Sequence, residues 1–261
     1  AIVESGTAQS VPRVLAELAR LGLSPDAVDW VMLTHVHLDH AGGAGALMQA
    51  LPQARLLVHP RGVRHMCEPA RLWAAATAVY GAAFVAREYG RLPIPVAPAR
   101  ITEACDGLLV SVGGRRIEVA EAPGHARHHV CYWDEESRGW FTGDAFGLAY
   151  REARVGQRAF VVPATTPSQF EPEAMHRTIE RLLARQPARM FLTHFGEVGE
   201  VPRLAADLHR QIDAFCALAR ACGGGLEPLH AALQRLLVQE AAEQGWAVQG
   251  EAALALYAED L

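Results

Sequence analysis

The segment Thr34-His35-Val36-His37-Leu38-Asp39-His40 places three histidines and one aspartate within six residues. An apolar run, Trp30 to Leu33, leads into it, and Gly42-Gly43 opens a helix after it. That density of ionisable groups does not suit a hydrophobic core. In a loop at a strand end, His35 and His37 point one way, while Asp39 and His40 turn toward a neighbouring point. Such a set can serve two adjacent metal ions rather than one. Imidazole and carboxylate donors suit zinc, and also iron or manganese.

Three more segments follow the same plan. Pro123-Gly124-His125-Ala126-Arg127-His128-His129 comes after the apolar strand Ile117 to Ala122. Phe141-Thr142-Gly143-Asp144 ends a strand on an acid, and Phe191-Leu192-Thr193-His194-Phe195-Gly196 ends one on a histidine. Each is weak alone, because an acid after a strand is usually a turn residue. Together they set metal-ligand types at successive strand ends, where α/β sheets place their sites.

The elements that would carry them read as alternating strands and helices, hence an α/β class. Ala1 to Val3 reads as a buried strand. Val11, Val14, Leu15 and Leu18 have the spacing of one helix face, with Ser10 as its cap and Gly22 as its stop. Arg55 to His59 is a strand. The Ala-rich stretch from Gly62 to Tyr89 is helical, and Pro93, Pro95 and Pro98 end it. Leu108 to Val112 and Arg115 to Ala120 form a hairpin over Gly113-Gly114. Strands follow at Val130 to Trp133, Trp140 to Thr142 and Met190 to Thr193. Helices follow at Pro172 to Ala184, Arg203 to Ala221 and Leu229 to Glu243.

Composition narrows the function. Apolar residues make up 51% of the 261 and charged residues 20%, which supports a packed core and argues against disorder. The net charge of −5 and the lack of a basic stripe exclude a nucleic-acid partner from the expectation. The chain has no Lys and no Asn, so all 24 basic residues are Arg, and neither missing type can clamp a substrate. The five cysteines (67, 105, 131, 216 and 222) are scattered, with no CxxC pair. They read as free thiols in a reducing compartment, so a cytoplasmic location is expected, with no membrane span and no signal peptide.

Taken together, the four segments resemble the metallo-β-lactamase superfamily, which includes glyoxalase II and the lactonases. The HxHxDH signature is complete. PGHARHH is similar to the PGHTxGH of glyoxalase II-like members, with Arg127 and His128 in place of small residues. FTGDAF resembles the Gly-Asp segment and LTHFG the last histidine segment. The resemblance covers about residues 1 to 197. It implies a four-layer αββα sandwich whose first strands would precede AIVESG and are missing from this chain. It implies a catalytic domain over 1–222, with 62–100 as a helical insertion or lid, and a C-terminal helical extension over 223–261 packed on the same domain.

The resemblance also implies that His35, His37 and His125 hold one metal, that Asp39, His40 and His194 hold a second, and that Asp144 bridges them. Two divalent ions, zinc first, would share a hydroxide. Asp39 and Asp144 are the catalytic carboxylates, the first orienting the nucleophile and the second fixing the metal spacing. His129 and Thr193 are candidates to support the ligands. The expected activity is hydrolysis of a small ester, thioester or lactone-like molecule. The alternative is a mononuclear iron oxidoreductase of the persulfide dioxygenase type, which the complete second ligand set opposes. Acyl-homoserine lactonases of this fold carry Tyr three residues after the bridging Asp, where this chain has Gly147. Trp73, Tyr80 and Phe84 are candidates to cover the site, and the loop Val162 to Pro167 to line it. His59, His65, His176, His209 and His230 read as structural or solvent-exposed. The tail Leu226 to Leu261 either caps its own sheet or forms a homodimer.

Overall fold

The computed structural model describes residues 1–150, 158–166 and 168–245. Pro167 of the expected cleft loop and 246–261 of the expected tail lie outside these. The chain forms two compact units. The first comprises residues 1–121 and 127–136, the second 122–126 and 137 onward.

The first unit is built on a parallel sheet. Its strands are β1 (Ile2–Val3), β2 (Trp30–Met32), β3 (Arg55–Val58) and β4 (Ile101–Glu103), in that order. The register pairs Val3 with Met32, Val31 with Leu56 and Leu57 with Thr102. Parallel neighbours need long crossovers, and helices supply them. α1 (Val11–Arg20) joins β1 to β2. α2 (Leu38–Ala41) and α3 (Ala44–Ala50) join β2 to β3. α4 (Val63–Cys67), α5 (Ala70–Tyr80) and α6 (Ala82–Tyr89) precede β4.

The central strands are continuous apolar runs because both their faces are covered. Val31, Leu33, Leu56 and Val58 are fully buried and pack with Val36, Leu47 and Leu51. Each such side chain contributes roughly 1.5–3 kcal/mol on burial. β1, expected to be buried, is only half-buried, because among the described residues it pairs on one side only, with β2. Ser10 holds the N-cap position of α1, but its side chain makes no capping bond. Its hydroxyl lies 3.3 Å from that of Thr7. Pro12 in the first turn suits the helix start in its place.

Strand β4 was not expected so close after three prolines. Two arginines hold it. Arg55 donates to the carbonyls of Ala99 and Ile101 and to the Thr102 hydroxyl at 2.9–3.1 Å. Arg100 donates to the carbonyls of Met48, Leu51 and Ala54, which lie at and just beyond the end of α3. The same unit carries an antiparallel ribbon of β5 (Leu109–Val112), β6 (Arg115–Glu121) and β7 (Val130–Asp134). Gly113 and Gly114, both at positive φ, form its first turn.

The second unit has β8 (Gly139–Gly143), α7 (Pro172–Leu183), β9 (Arg189–Leu192), β10 (Gly196–Val198), α8 (Val201–Ala221) and α9 (Leu226–Glu243). β8 and β9 are parallel, joined by a crossover that contains α7, and β10 folds back on β9. Trp140 anchors β8 to α7 by donating to the Leu182 carbonyl at 3.0 Å. Phe160, Val162, Phe215, Leu233 and Leu237 form a core beside α8 and α9. Among the described residues no helix is long and apolar enough to cross a membrane.

The segment after α6 presses on α3. A Cβ added at Gly45 would come within 1.9 Å of the Ile94 carbonyl oxygen. Gly45→Ala is therefore expected to lower the unfolding free energy by about 2–3 kcal/mol. Gly22→Ala, at φ +70° but in open space, is expected to cost only about 1–2 kcal/mol. Urea unfolding of the two variants checks the difference.

Candidate metal centre

In the first unit the chain leaves β2 still extended, with Leu33 N–H bonded to the Leu57 carbonyl at 2.9 Å. It then turns at His37, whose carbonyl accepts from the amides of His40 and Ala41. This one turn converges four side chains. His35 Nε2 lies 2.9 Å from His37 Nδ1, and His40 Nε2 lies 3.2 Å from Asp39 Oδ2. The His35 ring centroid is 4.4 Å from that of His37 and 4.0 Å from that of His40. His35 and His40 are fully buried.

Glu4, just after β1, orients this cluster, and the sequence reading gave it no role. Its φ is +66°, a left-handed conformation. One carboxylate oxygen accepts from the Thr34 amide at 3.2 Å and from the Thr34 hydroxyl. The other faces His40 Nδ1 at 3.5 Å. Ser5 adds its amide and hydroxyl to the His40 carbonyl at 2.9 and 2.7 Å. The visible signal was an acid at the end of an apolar strand, the pattern that marks Asp144.

These partners assign tautomers. The Thr34 hydroxyl has one proton and gives it to Glu4, so at 3.0 Å it can only accept from His35 Nδ1–H. Nε2 of His35 is then the unprotonated nitrogen. Carboxylates face both nitrogens of His40, Glu4 at 3.5 Å from Nδ1 and Asp39 at 3.2 Å from Nε2. Tyr132, fully buried, donates to the Leu33 carbonyl at 2.5 Å and pins the strand that feeds the loop. Burial first, and the charge of Glu4 second, push its phenol well above the ordinary range.

His128 and His129 join the first unit's cluster. The His129 ring stacks on His35 with centroids 4.8 Å apart. His128 lies 5.6 Å from His37 at 89°. His129 thus lies against His35, and His128 against His37. Tyr89, at the end of α6, is half-buried. Its phenol is pushed up by burial first and then by the charge of Asp39, which brings the 62–100 segment into the field of this loop.

The second unit gathers His125, Asp144 and His194. Gly124 sits at φ +133°, and a Cβ there would meet the Met175 backbone at 2.5 Å, so α7 fits directly against the turn. The carbonyls of Pro123 and Gly124 accept from the Thr178 hydroxyl and the Glu171 amide at 2.6 and 2.8 Å. His125 Nδ1 donates to the Ala164 carbonyl at 2.8 Å, which leaves Nε2 unprotonated. Asp144 follows β8, and His194 lies in the turn after β9. Because these strands run parallel, both groups emerge at the same edge.

Asp144 Oδ2 is 3.3 Å from His125 Nε2, and Oδ1 is 3.5 Å from His194 Nε2. A lone pair facing a carboxylate in a buried place is repulsive unless a cation lies there. The donor set therefore fits a metal. Thr193 lies in the same turn as His194. At Gly147, φ is +74° and a Cβ would meet the Val162 carbonyl at 2.4 Å, so no tyrosine fits. Tyr150 packs on the core beside α8 and α9.

Of the seven expected ligands, the first unit brings together His35, His37, Asp39 and His40, and the second His125, Asp144 and His194. The family model described as "Metallo-beta-lactamase superfamily" matches residues 1–194. The chain belongs to that superfamily. The metallo-β-lactamase fold-containing protein ST1585 of Sulfurisphaera tokodaii is 27% identical over 176 residues, 66% of this chain and 62% of that protein. Its crystal structure superposes with a TM-score of 0.64 at 25% identity, covering 80% of this chain and 74% of that one. A hydroxyacylglutathione hydrolase of Synechococcus is 31% identical over 55% of this chain and 42% of its own length. An acyl-coenzyme A thioesterase of Gallus gallus is 32% identical over 42% of this chain and 39% of its own. The chain thus spans from two fifths to three fifths of the length of these curated relatives. The fold is α/β of the metallo-β-lactamase type, as the four motifs implied.

Glu4→Ala leaves the Thr34 amide and hydroxyl without their acceptor and is expected to cost about 2–3 kcal/mol. Glu4→Gln keeps an oxygen for Thr34 and is expected to cost about half as much. Urea unfolding without added metal reads both, and equal costs would remove Glu4 from this role.

Proposed function

We propose that the chain is a metal-dependent hydrolase that holds two divalent ions, zinc first, and cleaves a small ester, thioester or lactone-like substrate. The observation that carries this reading is Asp144, with its two oxygens turned toward the Nε2 atoms of two different histidines at 3.3 and 3.5 Å. A carboxylate shared by two cations needs that disposition. In this reading His35, His37 and His125 hold one metal, Asp39, His40 and His194 the other, and Asp144 both. When bound, the pair supplies ionised water at neutral pH and a Lewis acid for a carbonyl oxygen.

The chain's own groups do the rest. Thr34 and the Ala164 carbonyl keep His35 and His125 in the tautomer that presents Nε2. Asp39, with its side chain 36% exposed, is the carboxylate that water and substrate can reach. It accepts the proton released as water adds to the carbonyl carbon. It returns that proton to the leaving oxygen or sulfur as the C–O or C–S bond breaks, giving an acid plus an alcohol or thiol. Among the three substrate types we favour thioesters. The thioesterase named among the relatives supports this, and Gly147 withholds the tyrosine of the lactonases.

Metal analysis of protein purified without added metal is expected to give close to two zinc or manganese per chain. A thioester panel is then expected to show turnover that chelation removes. Asp144→Ala and His125→Ala are each expected to lose metal and turnover together. One iron per chain with oxygen uptake would overturn the reading in favour of iron oxidation chemistry.

A further inference from the structure

Helix α4 carries a histidine that the proposed hydrolysis does not use. His65 is half-buried, and its Nδ1 is fully buried with no hydrogen-bond partner among the described residues. A buried imidazole nitrogen without a partner costs free energy and calls for a reason. The ring stands beside the metal loop of the first unit. Its centroid is 6.4 Å from that of His128, which in turn lies 5.6 Å from that of His37. One ring therefore separates His65 from an expected metal ligand.

Two guanidiniums flank this imidazole. Arg64 precedes it on α4, and Arg71 comes from the first turn of α5. Burial first, and then the charges of Arg64 and Arg71, push His65 below its ordinary range. The ring is thus neutral at neutral pH and offers one N–H and one lone pair. Both arginines are exposed, and neither makes an ion pair or a side-chain hydrogen bond among the described residues. Arg55, Arg100 and Arg115 of the same unit each have fixed acceptors. The one acid between Arg64 and Arg71 in sequence, Glu68, acts on the Cys67 thiol instead. Two uncommitted cations from two helices thus bear on one imidazole, and the place has a single sign of charge.

We propose that Arg64, His65 and Arg71 form a subsite for an anionic group, carboxylate or phosphate, that the substrate carries away from its reacting carbonyl. The inference rests on the hydrolase reading and narrows it to thioesters that bear such a group. Arginine presents paired N–H groups to two oxygens at once, and the imidazole N–H adds a further donor. With no lysine in the chain, this recognition falls to arginine.

The test compares three thioesters: S-lactoylglutathione, which carries carboxylates, acetyl-coenzyme A, which carries phosphates, and S-acetyl-N-acetylcysteamine, which carries no charge. For at least one charged thioester, Arg64→Gln/Arg71→Gln is expected to lower kcat/KM about 10- to 100-fold more than for the neutral one, through KM. His65→Ala is expected to lower it about tenfold in the same sense, and His65→Gln, which keeps a donor, to restore most of that loss. The charged thioester that responds names the anion. Calorimetry with the uncleaved thioethers S-hexylglutathione and S-ethyl-coenzyme A reads the subsite apart from turnover. Wild type is expected to bind one of them at least about tenfold more tightly than the double arginine variant. Absence of turnover with that difference kept would sink the hydrolase reading and leave the subsite standing. Equal losses on charged and neutral thioesters, or equal thioether binding by the two proteins, would overturn the subsite and leave water as the partner of His65.

Discussion

A buried imidazole or carboxylate is stable only where a partner replaces the water it has lost. The chain buries His35, His40, His125, His129 and Asp144. Five such groups are a liability in any core, and much of the local structure is the answer to it. Two of the buried histidines at the strand ends, His35 and His125, are held through Nδ1 by an oxygen that can only accept: the committed Thr34 hydroxyl and the Ala164 carbonyl. The same bonds that make burial tolerable also decide which nitrogen is left for chemistry. Stability and function rest on one set of contacts.

Delivering those partners bends the backbone. Glu4 occupies the left-handed region at φ +66°, which costs a non-glycine residue roughly 1–2 kcal/mol. In that conformation one carboxylate reaches Thr34 and His40, and those charge-assisted contacts offset the strain. On the other unit glycine takes the difficult positions. Gly124 lets α7 lie against the turn before His125, and Gly143, at φ +51°, turns the chain into Asp144. The apolar strands are ordinary by comparison. Their task is to end at fixed points, and full burial of Val31, Leu33, Leu56 and Val58 fixes them.

The legible part of the sequence was the part with a local signal. His35 to His40 announced itself by density, and the two glycines of the β5–β6 hairpin by their type. The short strands β4 and β10 did not, because neither is determined by its own residues. β4 exists through Arg55, which is distant in sequence, and through Arg100, whose acceptors at 48–54 are, and β10 through its fold-back on β9. Ser10 took the cap position its type suggested, yet its hydroxyl lies against that of Thr7 and makes no capping bond. Glu4 was hidden for the same reason as β4. Its role depends on Thr34 and His40, thirty or more residues away, and nothing at position 4 encodes them.

Exposure then separates two kinds of ligand. His40 is fully buried beside Asp39, whose side chain is 36% exposed. In the other unit, His125 and Asp144 are 4% and 7% exposed, while His194 is 34%. Each unit thus pairs deeply held groups with a more open one. The buried groups cannot move toward a substrate without abandoning their hydrogen bonds, so they set position and tautomer. Asp39 and His194 are the groups of each set that water reaches. The half-buried Tyr89, within the field of Asp39, marks the side from which the 62–100 segment meets that open face. With no lysine and no asparagine in the chain, neither side chain can contribute to that open face.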